Sequence, residues 1–145
     1  MFDFIKICKM TQPELKANLV QMLSVIYSNV ISQDGFVYAK GTDKVCLTAH
    51  LDTVHKEPVK KVKTNKGVIS SPQGIGGDDR CGVWMILQII ERTKLRPTIL
   101  FCEDEEIGGV GSTKFCKSQY IDDLKEMLFL IELDRANATD LVYYD

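Results

Sequence analysis

"VCLTAHLDTVH", residues 45–55, opens as an apolar run and closes on two histidines and an acid. Val45, Cys46, Leu47 and Ala49 do not alternate with charged residues, and a short run of that kind predicts a strand covered on both faces. A strand covered on both faces belongs to a sheet enclosed by helices, so this stretch decides the fold class. His50 stands at its far end, Asp52 two residues on, and His55 is the only other histidine of the chain.

Outward from it, "PTILFC" (97–102) and "MLFLIEL" (127–133) are two more continuous apolar segments that read as buried strands. They alternate with helical patterns over 11–28, 78–92 and about 112–125. "TQPE" (11–14) has the form of a capping box, with Thr11 as N-cap, Pro13 in the first turn and Glu14 three residues on; Leu15, Leu19, Leu23 and Ile26 then recur at helical spacing over 12–28. A second helix starts at Asp78 or Asp79, carries Val83, Met85, Ile86, Ile89 and Ile90 as its stripe, and ends near Thr93. "GFVYAK" (35–40) and "KVCLTAH" (44–50) flank "GTD", the sign of a hairpin or tight connection. Residues 55–77 form a long Lys-rich connection with "TNKG" and "SPQGIGG" as turns around a short strand, "VIS". The order predicts an α/β sandwich: a mixed, mainly parallel sheet flanked by helices.

With 145 residues the chain fits one domain. Apolar residues at 45% and charged residues at 26% match a soluble globular protein, and the net charge of -2 offers no basic surface for nucleic acid or an anionic membrane. No apolar run reaches the length of a membrane span, and "MFDFIKICKM" (1–10) lacks the parts of a signal peptide. The five cysteines are odd in number and without a CxxC pair, which fits a reduced, cytoplasmic protein; Cys46, Cys81 and Cys102 fall in apolar segments and read as buried hydrophobes.

Each of the three apolar strands ends in acids or a histidine: His50 and Asp52, "EDEE" (103–106), and Asp134. In open α/β sheets ligands bind at the carboxyl ends of the strands, so these residues are expected to meet there, with Asp78 and Asp79 reaching the same rim. Acidic runs are mostly solvated loops. This one lies between a buried strand and "IGGVGS" (107–112), and only Arg80 and Arg135 stand beside other members, so a divalent cation is the better answer to the repulsion. Asp78 taken alone would read as a helix cap. Asp79, Glu103 and Asp104 are assigned to capping or solvation, Glu132 has no role, and His55 belongs to the loop.

"HLDTVH" (50–55), "GIGGDDRCGV" (74–83), "EDEEIGGVGS" (103–112) and "IELDRAN" (131–137) resemble, in order and spacing, the successive motifs of the co-catalytic zinc peptidases, the superfamily of the carboxypeptidase G2-like, peptidase T-like and aminopeptidase families. The resemblance covers about residues 44–137. It implies that His50, Asp78 and Asp134 hold one metal, that Asp78 bridges to a second held with Glu106, that Glu105 is the general base, and that Asp52 orients His50. It implies Zn2+, one or two per chain, with Co2+ or Mn2+ also accepted by such donors. Residues 1–145 then correspond to a single zinc-peptidase-like catalytic domain lacking the late strands and any lid or dimerisation domain. The resembled families draw a further histidine for the second metal from that late part, and none follows His55 here. A homo-oligomer or a second chain could complete the site.

The implied activity is metal-dependent hydrolysis of peptide or acyl-amide bonds in short peptides or N-acyl amino acids. The alternative is a non-catalytic metal-binding domain that serves as a partner-binding or structural module. A third reading, "GIGG" (74–77) as a phosphate cradle, is weaker because no Gly-Lys-Ser/Thr follows.

Overall fold

The computed structural model describes residues 3–134, 136–137 and 139–144. Arg135, noted above beside Asp134, lies outside them. The elements are α1 (Phe4–Cys8), α2 (Gln12–Ile26), β1 (Val30–Gln33), β2 (Phe36–Ala39), β3 (Val45–His50), β4 (Lys63–Asn65), β5 (Val68–Ser70), α3 (Gly77–Arg92), β6 (Thr98–Cys102), α4 (Val110–Cys116), α5 (Ile121–Leu124) and β7 (Phe129–Glu132).

Five strands form the main sheet in the order β1-β2-β6-β3-β7. It is mixed and flanked by helices but not mainly parallel: β3 is parallel to both β6 and β7, and β2 is antiparallel to both β1 and β6. One face packs Val37, Ala39, Leu47, Ala49, Ile99 and Phe101 against α1, α2 and α3. The opposite face packs Phe36, Tyr38, Cys46, Leu100 and Cys102 against Phe115, Tyr120, Ile121 and Leu124. β3 and β6 are central strands, and the alternate side chains of each are taken up by different layers of helix.

The capping box at Thr11 is formed: Thr11 Oγ1 accepts from the Glu14 amide and Thr11 N donates to Glu14 Oε2 at 2.8 Å. Tyr27 ends the helix in an extended conformation and its hydroxyl donates to the Pro97 carbonyl at 2.9 Å, which stops α2 at Ile26.

Several expectations need correction. Of the two readings of "GTD", the tight connection holds and the hairpin does not: residues 40–44 join β2 directly to β3, but β6 lies between them, and the hairpin partner of β2 is β1, through Asp34 and Gly35 (φ 94°). Residues 112–125 hold two short helices, α4 and α5, separated where the Ser118 hydroxyl bonds the Phe115 carbonyl. β7 is not covered on both faces: it has one neighbour, β3, and Leu128, Phe129 and Leu130 are 70%, 59% and 57% exposed. An edge strand beyond the reach of the flanking helices keeps its apolar side chains in solvent. Cys46 and Cys102 are buried but Cys81 is exposed, on the outer side of α3. No helix among the described residues is long and apolar enough to cross a membrane.

Helix α4 approaches the β1–β2 turn so closely that Gly111 has no room for a side chain. A Cβ there would come within 2.6 Å of the Glu103 amide nitrogen and would also strike the carbonyls of Gly35 and Glu103. All three are backbone atoms, so Gly111→Ala is expected to separate α4 from the sheet and to cost about 1–3 kcal/mol or more. The check is the urea midpoint of unfolding, which should fall well below that of Ser112→Ala on the exposed side of the same helix.

Candidate metal centre

Parallel pairing of β3 with β6 sets His50 opposite Cys102, and the chain after each strand leaves the sheet on the same side. β7 lies on the other flank of β3 and delivers Asp134 to that rim, while the start of α3 brings Asp78 and Asp79. The crevice anticipated at the carboxyl ends of the strands therefore collects His50, Asp52, Asp78, Asp79, Glu105, Glu106 and Asp134.

His50 is 3% exposed and fully engaged on one side. Its Nδ1 lies 3.1 Å from Asp52 Oδ1. An ionised carboxylate only accepts, so Asp52 holds a proton on Nδ1 and leaves Nε2 facing outward toward Asp78. Around Nε2 stand Asp78 Oδ1 at 3.1 Å, Asp134 Oδ2 at 3.8 Å and Glu105 Oε2 at 3.9 Å. Four electron-rich groups converge there, and only protons or a cation can hold them together. Ligand atoms of His50, Asp78 and Glu106 lie within 4.8 Å of one another, as do those of His50, Asp79 and Asp134. One imidazole nitrogen with carboxylate oxygens is a donor set that suits a divalent ion of the zinc type.

Asp52 does more than orient the imidazole. Its Oδ1 accepts from the Glu105 amide and its Oδ2 from the Glu106 amide, both at 3.0 Å. One carboxylate thus fixes the histidine at the end of β3 and the pair of glutamates after β6. Glu105 remains 46% exposed at its side chain, with no hydrogen-bond partner among the described residues.

Asp79 is the residue that sequence reasoning missed. Its pattern reads as capping or solvation, yet it is 2% exposed, accepts from the His50 amide at 3.2 Å and from the Gly82 amide at 2.9 Å, and belongs to one of the two donor groups. The Asp78–Asp79 peptide is cis, and both residues lie outside helical φ/ψ. The doubled acid with a glycine three residues later was the available signal: a Cβ on Gly82 would sit within 2.6 Å of Asp79 Oδ2 and of the Leu133 carbonyl. Glu103 and Asp104 do not join the cluster. Glu103 pairs with Lys16 and accepts from the Gly35 amide at 2.9 Å, and Asp104 accepts from Gln12 Nε2 at 3.1 Å, so both tie the loop to the scaffold. Glu132 and His55 stand outside both donor groups.

The electrostatics carry the same strain. Burial raises Asp79 to about 7, with the Asp134 charge adding to the rise against hydrogen bonds from the Gly82 and His50 amides. Burial also raises Asp134, together with the charge of Asp78 and a hydrogen bond to it. For His50, burial acts to lower the imidazolium, and the charges of Asp52 and Asp79 with hydrogen bonds to Asp78 and Asp52 outweigh it, leaving the group above its ordinary value.

The model of peptidase family M28 matches residues 36–144, and the chain belongs to that family. Among solved structures, a tripeptidase from Staphylococcus aureus aligns with a TM-score of 0.66 at 20% identity, over 92% of this chain and 42% of its own. Aminopeptidase PepT from Bacillus cereus aligns with a TM-score of 0.65 at 21% identity over the same shares, and human carnosine dipeptidase 1 with 0.54 at 15%, over 91% of this chain and 37% of its own. These likenesses establish the fold, and the chain spans about two fifths of the length of the first two. No curated protein matches the chain.

Two outcomes follow. Without metal, folding takes up protons at His50, Asp79 and Asp134, since each is raised in the folded state. The Asp79 contribution to the stability of the metal-free protein should therefore be lost as pH rises from about 4 through 7 and the His50 contribution only above 6.5, and divalent-ion affinity should climb as those protons leave. Thermal melts with EDTA and ion titrations across that range test both signs. Gly82→Ala, which pushes on Asp79 and Leu133, is expected to weaken ion binding by about tenfold or more, read by competition with a chromophoric chelator.

Proposed function

We propose that the chain acts in hydrolysis of peptide or acyl-amide bonds, on short peptides or N-acyl amino acids, as a single catalytic unit over 1–145. The observation that carries the reading is the convergence of Asp78, Glu105 and Asp134 on the outward Nε2 of a buried, Asp52-oriented His50. His50, Asp78 and Asp134 would hold one divalent ion, with Asp78 shared toward a second held by Glu106. Zinc suits the nitrogen and oxygen donors best, and cobalt and manganese fit the same set. A bound divalent ion supplies positive charge that lowers the proton affinity of water and polarises a carbonyl.

The chain's own residues supply the rest. Glu105 is the half-exposed carboxylate at the edge of the cluster, 3.9 Å from His50 Nε2, placed to take a proton from the attacking water and to return it to the leaving amine. Asp52 holds His50 in the tautomer that presents Nε2 and holds the Glu105 backbone at a fixed distance from it. Asp79 fixes the start of α3 against the His50 amide. Peptidase membership of the family and the peptidases among the structural relatives support the reaction class.

A second reading rests on one observation, the exposed apolar strand β7 with Leu128, Phe129 and Leu130 in solvent. It takes the domain as a metal-binding module that docks another chain or copy there.

Glu105→Gln separates the readings. It should retain the bound ion content and lower kcat on a panel of di- and tripeptides and N-acetyl amino acids by about 100- to 10,000-fold. Unchanged hydrolysis in a variant that still binds metal would remove Glu105 from catalysis, and wild-type protein without turnover at any metal concentration would favour the docking module.

A further inference from the structure

Beside the metal centre lies a cavity of about 260 Å3 that the mechanism does not use. Its walls come from the end of α1, the N-terminus of α2, the loop after β3 and the turn before α3. Met10, Pro13, Val59 and Ile75 make it partly apolar, and Arg80 is its buried cation.

Arg80 is 5% exposed, yet its guanidinium makes one hydrogen bond among the described residues, from Nη1 to the Ile7 carbonyl at 3.1 Å. Nε is buried without an acceptor. A guanidinium carries five donors, and a buried charge is ordinarily paired. Among the described residues no carboxylate stands within ion-pair distance of it. Cys8 also lines the cavity, but burial pushes its thiol up to about 12, so it is neutral and offers no counter-charge. Of the acids on the walls, Asp52 acts on Arg80 only from beyond ion-pair distance and is already committed to His50, Glu105 and Glu106, and Glu57 pairs with Lys60. Lys56 adds a second cation to the walls of the cavity. Gln12 Oε1, on the same wall, is a second buried polar atom without a partner.

A buried cation short of an anion, in a partly apolar space near the lower end of the size range of ligand pockets, defines the missing group chemically. We propose that this cavity binds a small molecule bearing one carboxylate and an apolar body of amino-acid size, with the Arg80 guanidinium as the carboxylate anchor. The site is distinct from the donor groups on His50 Nε2 and stands whether or not the chain hydrolyses amides. It adjoins them through Asp52, so its occupant would be felt at the metal centre.

The test is an NMR titration of the folded protein with isocaproate, its neutral amide isocaproamide, and acetate, following the Arg80 Nε–H signal and the backbone amides of Gln12, Thr53 and Ile75. Isocaproate should move all four, and the amide and acetate should bind about tenfold or more weakly, because one lacks the charge and the other the apolar body. Arg80→Gln should abolish the response. If that variant does not fold, Ile75→Trp, which fills the cavity from its loop side, should abolish it instead. Equal binding of isocaproate and its amide, equal binding of acetate, shifts confined to His50 and Glu106, or no response would each overturn the assignment.

Discussion

The carboxylate of Asp52 joins three parts of the chain that the sheet only brings near each other. It holds Nδ1 of His50 at the end of β3, and it takes the amides of Glu105 and Glu106 after β6. Without an acceptor there the two amides would need other partners, the imidazole could turn or change tautomer, and the glutamates would lose their fixed reach toward Nε2. This interaction depends in turn on the parallel ladder between β3 and β6, which sets the ends of both strands on one rim. The scaffold residues that support the same loop, Glu103 with Lys16 and Asp104 with Gln12, serve that placement from the other side.

The cluster is costly to the fold and informative for that reason. Asp79 is buried with its proton held to about 7, and Asp134 is raised beside Asp78. Like charges gathered at a buried rim lower the stability of a domain unless a ligand neutralises them. The same logic marks Arg80 with the sign reversed: a buried cation with one hydrogen bond, to a carbonyl, and no carboxylate within ion-pair distance among the described residues. Both are places where the packed structure leaves charge to be answered by something other than the chain, and they stand next to each other through Asp52.

The exposed strand β7 shows how far local sequence can mislead. "LFLI" (128–131) has the composition of a strand covered on both faces, like "VCL" (45–47) and "ILF" (99–101). The latter two belong to interior strands and are buried apart from the half-buried Val45, whereas β7 is at the edge of the sheet and its residues are exposed. Composition records what a strand is suited to pack against, not whether a neighbour is present. The hairpin expected between 35–40 and 44–50 failed similarly, since insertion of β6 between two strands close in sequence is a long-range event that no turn signal reports.

By itself the sequence determined the elements that rest on local chemistry. The capping box at Thr11, the stripe of α3, the central strands and the order of His50, Asp78, Glu105, Glu106 and Asp134 along the chain are written in short-range patterns, and the likeness of four motifs to a peptidase superfamily was legible from them. Tertiary structure alone decided which acids turn inward. Asp78 and Asp79 are adjacent and chemically identical, yet one faces Nε2 of His50 and the other is buried against its amide, because the non-helical start of α3 and the bare Cα of Gly82 leave a space for only one of them under Leu133. Arg80 was likewise just a neighbour in the sequence; its unpaired burial exists only because α1, α2 and the loop after β3 close over it, and burial is a property of the packed surface that no single stretch encodes.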